Sequence, residues 1–346
     1  MTKKNKLPAS ALNRARPLAD RIDLPPDAWT MRGLGCKLTC RNSGQSLHWP
    51  SPIYSRLGTD IPNPMELHPT LEKLRRNCGI SVVEPQADLL EQGTQPQRSN
   101  QQSSGADRSM DDGLWIQPVF VDEPIDLQPL MHAEQIELQF IPCHYQATRP
   151  TSYRADRWIP TLPSDLSQVD RMARRVELLR HASDQPKVVL GGAIAAGSVY
   201  EDVRFLIDSG LDYVNVLSEV AASLRPAKSW SLQPIDYVIE TARRAIDDSG
   251  VPSVGLLVSG PIRSLDDGIR MLSLGVDAFS IDSWLIQQQS ESATALRANE
   301  DYSSFLSGYS RQSEASQGAP RVMDGLVLAA ENWVEEFCAL RRFFEI

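Results

Sequence analysis

The chain has 346 residues, 41% of them hydrophobic and 23% charged, the composition of a globular protein long enough for one large barrel or two ordinary domains. A formal charge of -9 argues against a nucleic-acid surface, because phosphate contact needs clustered Lys and Arg. No apolar run approaches the roughly 20 residues of a membrane span, and five cysteines at irregular spacing do not make a disulfide framework.

Residues 1–45 are polar and basic without a sustained period, and read as an arm that packs on the body or is partly disordered. The basic start, Lys3-Lys4-Lys6, lacks the apolar run of a signal peptide, so a cytoplasmic location is expected. Cys36 and Cys40 stand in this arm at C-x3-C spacing. With only distant His48 and Cys78 to complete a ligand set, buried or idle thiols are favoured over zinc, and no metal is expected.

From Ser51 onward, short apolar runs alternate with helical periods. SPIYSRL at Ser51 reads as a strand, His68 to Cys78 as a helix through Leu71 and Leu74, and Ile80 to Val83 as the next strand. Residues 92–112 are almost free of apolar side chains and cannot offset their ordering entropy, so a disordered insertion is expected there. Leu114 to Val121 and Ile136 to Ile141 are strand-like. A helix from Ser167 to His181 follows, with Val169, Met172, Val176 and Leu179 on one face, and then an apolar strand at Lys187 to Leu190 that runs into Gly191-Gly192.

Ser198 and Glu201 have capping-box spacing ahead of a helix that ends at Gly210. Tyr213 to Leu217 is a strand, Ile235 to Ser249 an amphipathic helix, and Val254 to Val258 a strand. Ser264 and Asp267 then open a further helix, closed at Gly275 where a left-handed residue is needed, and Ala278 to Asp282 is the last strand. Residues 287–319 are polar and loop-like, and 322–344 read as a long helix whose apolar face docks on the body.

A short crossover such as the one between the last two strands forces them parallel. Eight strands near 52, 80, 115, 137, 188, 214, 255 and 279, mostly separated by helices, favour an α/β fold, a closed (β/α)8 TIM barrel spanning residues 46–346. The active site of such a barrel lies at the C-terminal ends of its strands, and phosphate groups are commonly held beside the last two. Here that region carries Ser259, Gly260, Pro261, Ile262 and Arg263, then Asp282 and Ser283. Gly260 allows close backbone approach and Arg263 supplies charge. Pro261 has no N–H to donate, and Asp282 sets a carboxylate near any bound anion.

The stretch VGLLVSGPIRSLDDGIRMLSLGVDAFSIDSWLI resembles the G-G-[IL]-R, D, LGAD, G-[TS] signature of FMN-binding barrels, most closely the central FMN domain of glutamate synthases. The similarity covers roughly Ser51 to Ile286, with specific motifs only in this last unit. It implies an oxidoreductase of amino-acid metabolism that holds FMN through Ser259, Gly260, Ile262, Arg263, Asp282 and Ser283.

The chain departs from that family in Pro261 and Asp282, where the family has glycines, and in Leu190, near the place of a flavin-directed lysine. It also lacks the cysteine triplet of the family's iron–sulfur cluster beyond the last strand. The cofactor site therefore reads as degraded. The other reading is a barrel without cofactor that serves as a binding or scaffold protein.

No catalytic residue is assigned. Cys143 with His144 reads first as a loop histidine beside a half-buried thiol, and Glu137 and Glu219 as carboxylates paired with nearby Arg. Asp266 and Asp267 read as first-turn helix residues, and Trp230 and Trp284 as rim packing. The expected partner is a small molecule, with no nucleic acid and no membrane. Whether a second copy of the chain or another protein also binds is open.

Overall fold

The computed structural model describes residues 36–57, 68–84, 113–121, 124–140, 168–185, 187–196, 198–218, 234–251, 253–262 and 264–284. The disordered insertion expected at 92–112, the helix expected at 322–344 and residues 1–35 of the expected arm lie outside them.

Two antiparallel strands, β1 (Cys36–Thr39) and β2 (Ser46–Trp49), form a hairpin. The barrel follows with β3 (Ile53–Ser55), α1 (His68–Cys78), β4 (Ser81–Val83), β5 (Trp115–Phe120), β6 (Gln135–Gln139), α2 (Val169–Ala182), β7 (Val189–Ala195), α3 (Val199–Asp208), β8 (Tyr213–Leu217), α4 (Ile235–Asp248), β9 (Gly255–Ser259), α5 (Leu265–Ser273) and β10 (Ala278–Ser280). The barrel is closed in the order β10-β3-β4-β5-β6-β7-β8-β9, and every neighbouring pair is parallel. All eight strands read from the sequence are present, and the α/β barrel is established by this closure.

Strand alternation divides the core in two. Ile136, Leu138, Val214, Val216, Leu256 and Val258 pack outward with helix residues such as Leu206, Ile239 and Ile246. Tyr54, Val83, Ile116, Val189, Tyr213 and Leu257 pack in a separate cluster together with Leu38, Leu47 and Trp49 of the hairpin.

That second cluster includes the hairpin, which therefore packs on the barrel. The hairpin straddles residue 45 and plugs the N-terminal end of the barrel. Trp49 Nε1 donates to Gln135 Oε1, at the first residue of β6, over 3.0 Å. The Cδ2 atom of Leu38 lies 2.5 Å from where a Cβ on Gly255 would stand, so a larger residue at the start of β9 would displace the plug's Leu38 side chain. Just before β8, Asp212 accepts from the backbone N–H groups of Arg41 and Leu190 and from Arg180 Nη2, each at 2.8 Å.

Local expectations fare unevenly. Ser264 caps α5 as read, its Oγ accepting from Asp267 N at 3.3 Å, and Gly275 takes φ +93° just beyond the helix. Ser198 precedes α3 but makes no side-chain cap bond, so its spacing with Glu201 does not become a capping box. The strand read at 187–190 runs on through Gly191 and Gly192 to Ala195. Gly191 is the reason: a Cβ there would fall within the ring of Tyr213, which lies across β7 inside the barrel.

Candidate functional site at the C-terminal mouth

The C-terminal ends of the strands bring together Arg56 after β3, Gln139 ending β6, Ser218 after β8, Ser259 ending β9 and Asp282 after β10. Beneath them the barrel interior is polar, centred on Glu137 of β6. Its Oε1 accepts from Arg56 Nη1 at 2.6 Å and from Gln139 Nε2 at 2.8 Å. Its Oε2 accepts from Asn215 Nδ2 at 3.0 Å and from the Tyr213 hydroxyl at 3.2 Å. The second Arg56 nitrogen, Nη2, donates to Gln139 Oε1 at 2.8 Å.

Donor counting orients the rest of the network. The Tyr54 hydroxyl has one proton, and it goes to Asn215 Oδ1 at 2.7 Å, an oxygen that can only accept. Ser259 Oγ, 2.9 Å from the same hydroxyl, must therefore donate to Tyr54. The chain of donation runs from Ser259 through Tyr54 and Asn215 to Glu137, inward from the mouth. Burial pushes the Tyr54 phenol well above its ordinary range, with Arg56 opposing and Glu137 reinforcing the shift. Burial does the same to Tyr213, with Glu137 adding to it. Both phenols stay neutral and keep donating.

This arrangement settles the role of Glu137 in the folded chain. It is fully buried with Arg56 as ion-pair partner, and its two oxygens take four donors, so it braces the interior and holds no spare lone pair as a base. Arg56 comes from the strand three places away round the barrel, so the pair spans the lumen.

Of the six residues assigned to the cofactor, the structure joins three. Ser283 Oγ donates to the Gly260 carbonyl at 2.7 Å and accepts from the Ile262 N–H at 3.0 Å, clasping the loop after β9 to the segment after β10. Ser259 turns its hydroxyl inward to Tyr54. Asp282 turns its carboxylate to donors of the protein itself. Its Oδ1 accepts from Ser55 Oγ, and its Oδ2 from the Arg56 N–H and Ser280 Oγ, at 2.7, 2.7 and 2.8 Å. The carboxylate is buried in the seam where the last strand meets the first, and three donors hold it there. Arg263 lies outside the described residues, as do Cys143, His144, Glu219 and Trp230.

Among the described residues of the loop after β9, positions 261 and 262 offer a phosphate no free N–H as folded. Pro261 has no N–H, and the Ile262 N–H is already taken by Ser283. A Cβ on Gly260 would strike Ile235 of α4 and stand 2.5 Å from Ser218 Oγ, so the glycine serves packing from behind the loop. Leu190, near the family's flavin-directed lysine, packs in the outer core.

No protein-family model and no curated protein matches the chain. Similar solved structures include a mandelate oxidase mutant with the monooxide FMN adduct, at TM-score 0.46 and 15% identity, covering 92% of this chain and 84% of that one. A mandelate oxidase mutant with 4-Br-2-hydroxy-methylphenylacetate is similar at TM-score 0.43 and 13% identity over 87% and 77%. At these scores the likeness carries no conclusion about ligand or activity. The established statement is the closed parallel barrel.

The remaining candidates have structural roles. Trp284 packs against the outer core, and Asp267 is buried in the first turn of α5. Cys36 and Cys40 are buried free thiols, Cys40 Sγ accepting from Arg180 Nη1 at 3.3 Å, while His48 points to the opposite, exposed side of the hairpin. Burial, with the nearby charge of Asp277, pushes the Cys36 thiol well up.

Sequence reading missed Arg56, Tyr54, Gln139, Tyr213 and Asn215. A signal was present: in β6 the polar residues Gln135, Glu137 and Gln139 alternate with apolar ones, and in a barrel strand with both faces buried a polar face must line the interior.

Proposed function

We propose that the chain is a divergent FMN-type barrel of the oxidoreductase kind, related to the FMN domain of glutamate synthases and acting in amino-acid metabolism. The observation that carries this reading is the parallel pairing of β9 with β10 in the closed barrel, which brings their C-terminal tips together where the resemblance assigns the cofactor. A bound flavin supplies hydride or electron transfer. The chain's own contribution is a rigid floor under the mouth, where the Arg56 and Glu137 brace excludes water. The ligand is a small molecule and the setting the cytoplasm; a second copy of the chain or another protein is a further partner to test.

The Ser283 clasp and the seam position of Asp282 favour a second reading, a barrel without cofactor that binds or scaffolds. The absorbance spectrum separates the two. Oxidised-flavin bands in the purified protein, or after adding FMN and removing the excess, support the first reading. Colourless protein that takes up no flavin supports the second.

A further inference from the structure

We propose that the Ser283 hydroxyl stands in for a ligand phosphate at the β9 and β10 tips, so that the mouth accepts a flavin without reading its phosphate. The inference rests on the flavin reading above and deepens it, and two independent features carry it. One is the bridge: a hydroxyl has one proton and two lone pairs, and Ser283 spends the proton on the Gly260 carbonyl and a lone pair on the Ile262 N–H. Pro261 supplies no N–H, so in this described turn a phosphate oxygen would be met by the Ile262 N–H, and Ser283 already occupies that donor.

The other feature is the packing behind the loop. Ile235 of α4 and Ser218 Oγ fill the space over the Gly260 α-carbon, so the loop cannot draw back to admit a phosphate while keeping the bridge. A phosphate on the Ile262 N–H and the Ser283 bridge exclude each other.

The test compares FMN with riboflavin, which lacks the phosphate, in the full chain and in Ser283→Ala, by flavin fluorescence titration. The clasp predicts that the unaltered chain binds the two flavins within about threefold. Ser283→Ala should then gain a preference for FMN of about tenfold, the worth of one charge-assisted hydrogen bond regained. A chain that already prefers FMN by more than about threefold, or a Ser283→Ala variant that gains no preference, overturns the clasp and leaves the flavin reading standing. If neither flavin binds the unaltered chain, the flavin reading fails and inorganic phosphate decides the clasp. Phosphate that raises the melting temperature of Ser283→Ala but not of the unaltered chain supports it, and phosphate without effect on either overturns it. The flavin ratio in the unaltered chain stands even if the variant folds poorly.

Discussion

Arg56 and Glu137 meet inside the barrel at 2.6 Å, both fully buried, and join its first strand to its fourth. A charge pair taken wholly out of water is held only by complete hydrogen bonding, and Glu137 has that from Arg56, Gln139, Tyr213 and Asn215. Breaking one side leaves the other charge stranded. Glu137→Ala should cost about 3–5 kcal/mol by denaturant unfolding, and Arg56→Met combined with Glu137→Leu should recover most of it. A double variant no better than the single would show that the network, and not the unpaired charge, sets the cost.

The hairpin predicts a separation of the barrel's two ends. Trp49→Phe removes the donor to Gln135 Oε1 and should cost about 1 kcal/mol. Trp49→Ala opens the plug and should cost about 3–5 kcal/mol. Neither should alter the flavin affinity proposed for the mouth, because the plug contacts the N-terminal strand ends; a parallel loss of binding by titration would contradict this.

Gly191→Ala is expected to destabilise by about 1–3 kcal/mol, because its Cβ collides with the Tyr213 ring. Tyr213→Leu, alone destabilising through the donor lost to Glu137, should relieve part of that penalty. Non-additive unfolding free energies in the double-mutant cycle are the expected sign of the contact.

High pH should unfold the chain through its interior phenols. Tyr54 and Tyr213 have raised folded values, chiefly from burial, so the folded chain holds their protons more tightly than the unfolded one. Their contribution is fully present below the unfolded tyrosine value of about 10. It is lost as pH climbs above that towards the folded values. Phenolate absorbance from these two residues should therefore rise together with unfolding, and Tyr54→Phe with Tyr213→Phe should flatten the alkaline loss.

How far the fold was legible follows from its physics. Parallel strands buried on both faces leave apolar runs such as those at 188 and 255, and these marked the barrel in the sequence. The hairpin escaped because its strands are four residues long and half-exposed, with Lys37 and His48 paired on the outside of Leu38 and Trp49. At the mouth, the meeting of the loop carrying Gly260 and Ile262 with Ser283 follows from the pairing of the last two strands. The facing of Asp282 was not legible, because its donors Ser55 and Arg56 come from more than 220 positions away in the chain. Asp282→Gly, which the glycine of the resembling family suggests as a repair, should instead cost about 3 kcal/mol by orphaning buried donors. Asp282→Asn should cost less, as thermal melts of the two variants will show.

The claim that a flavin belongs at the C-terminal mouth is tested most directly by hydrogen exchange with and without saturating FMN. Slowed exchange is expected at the amides of Gly260, Ile262 and Ser283 and in the segment after Ser218, with the hairpin from Cys36 to Trp49 unchanged. Protection confined to other parts of the chain, or none at all, would contradict it.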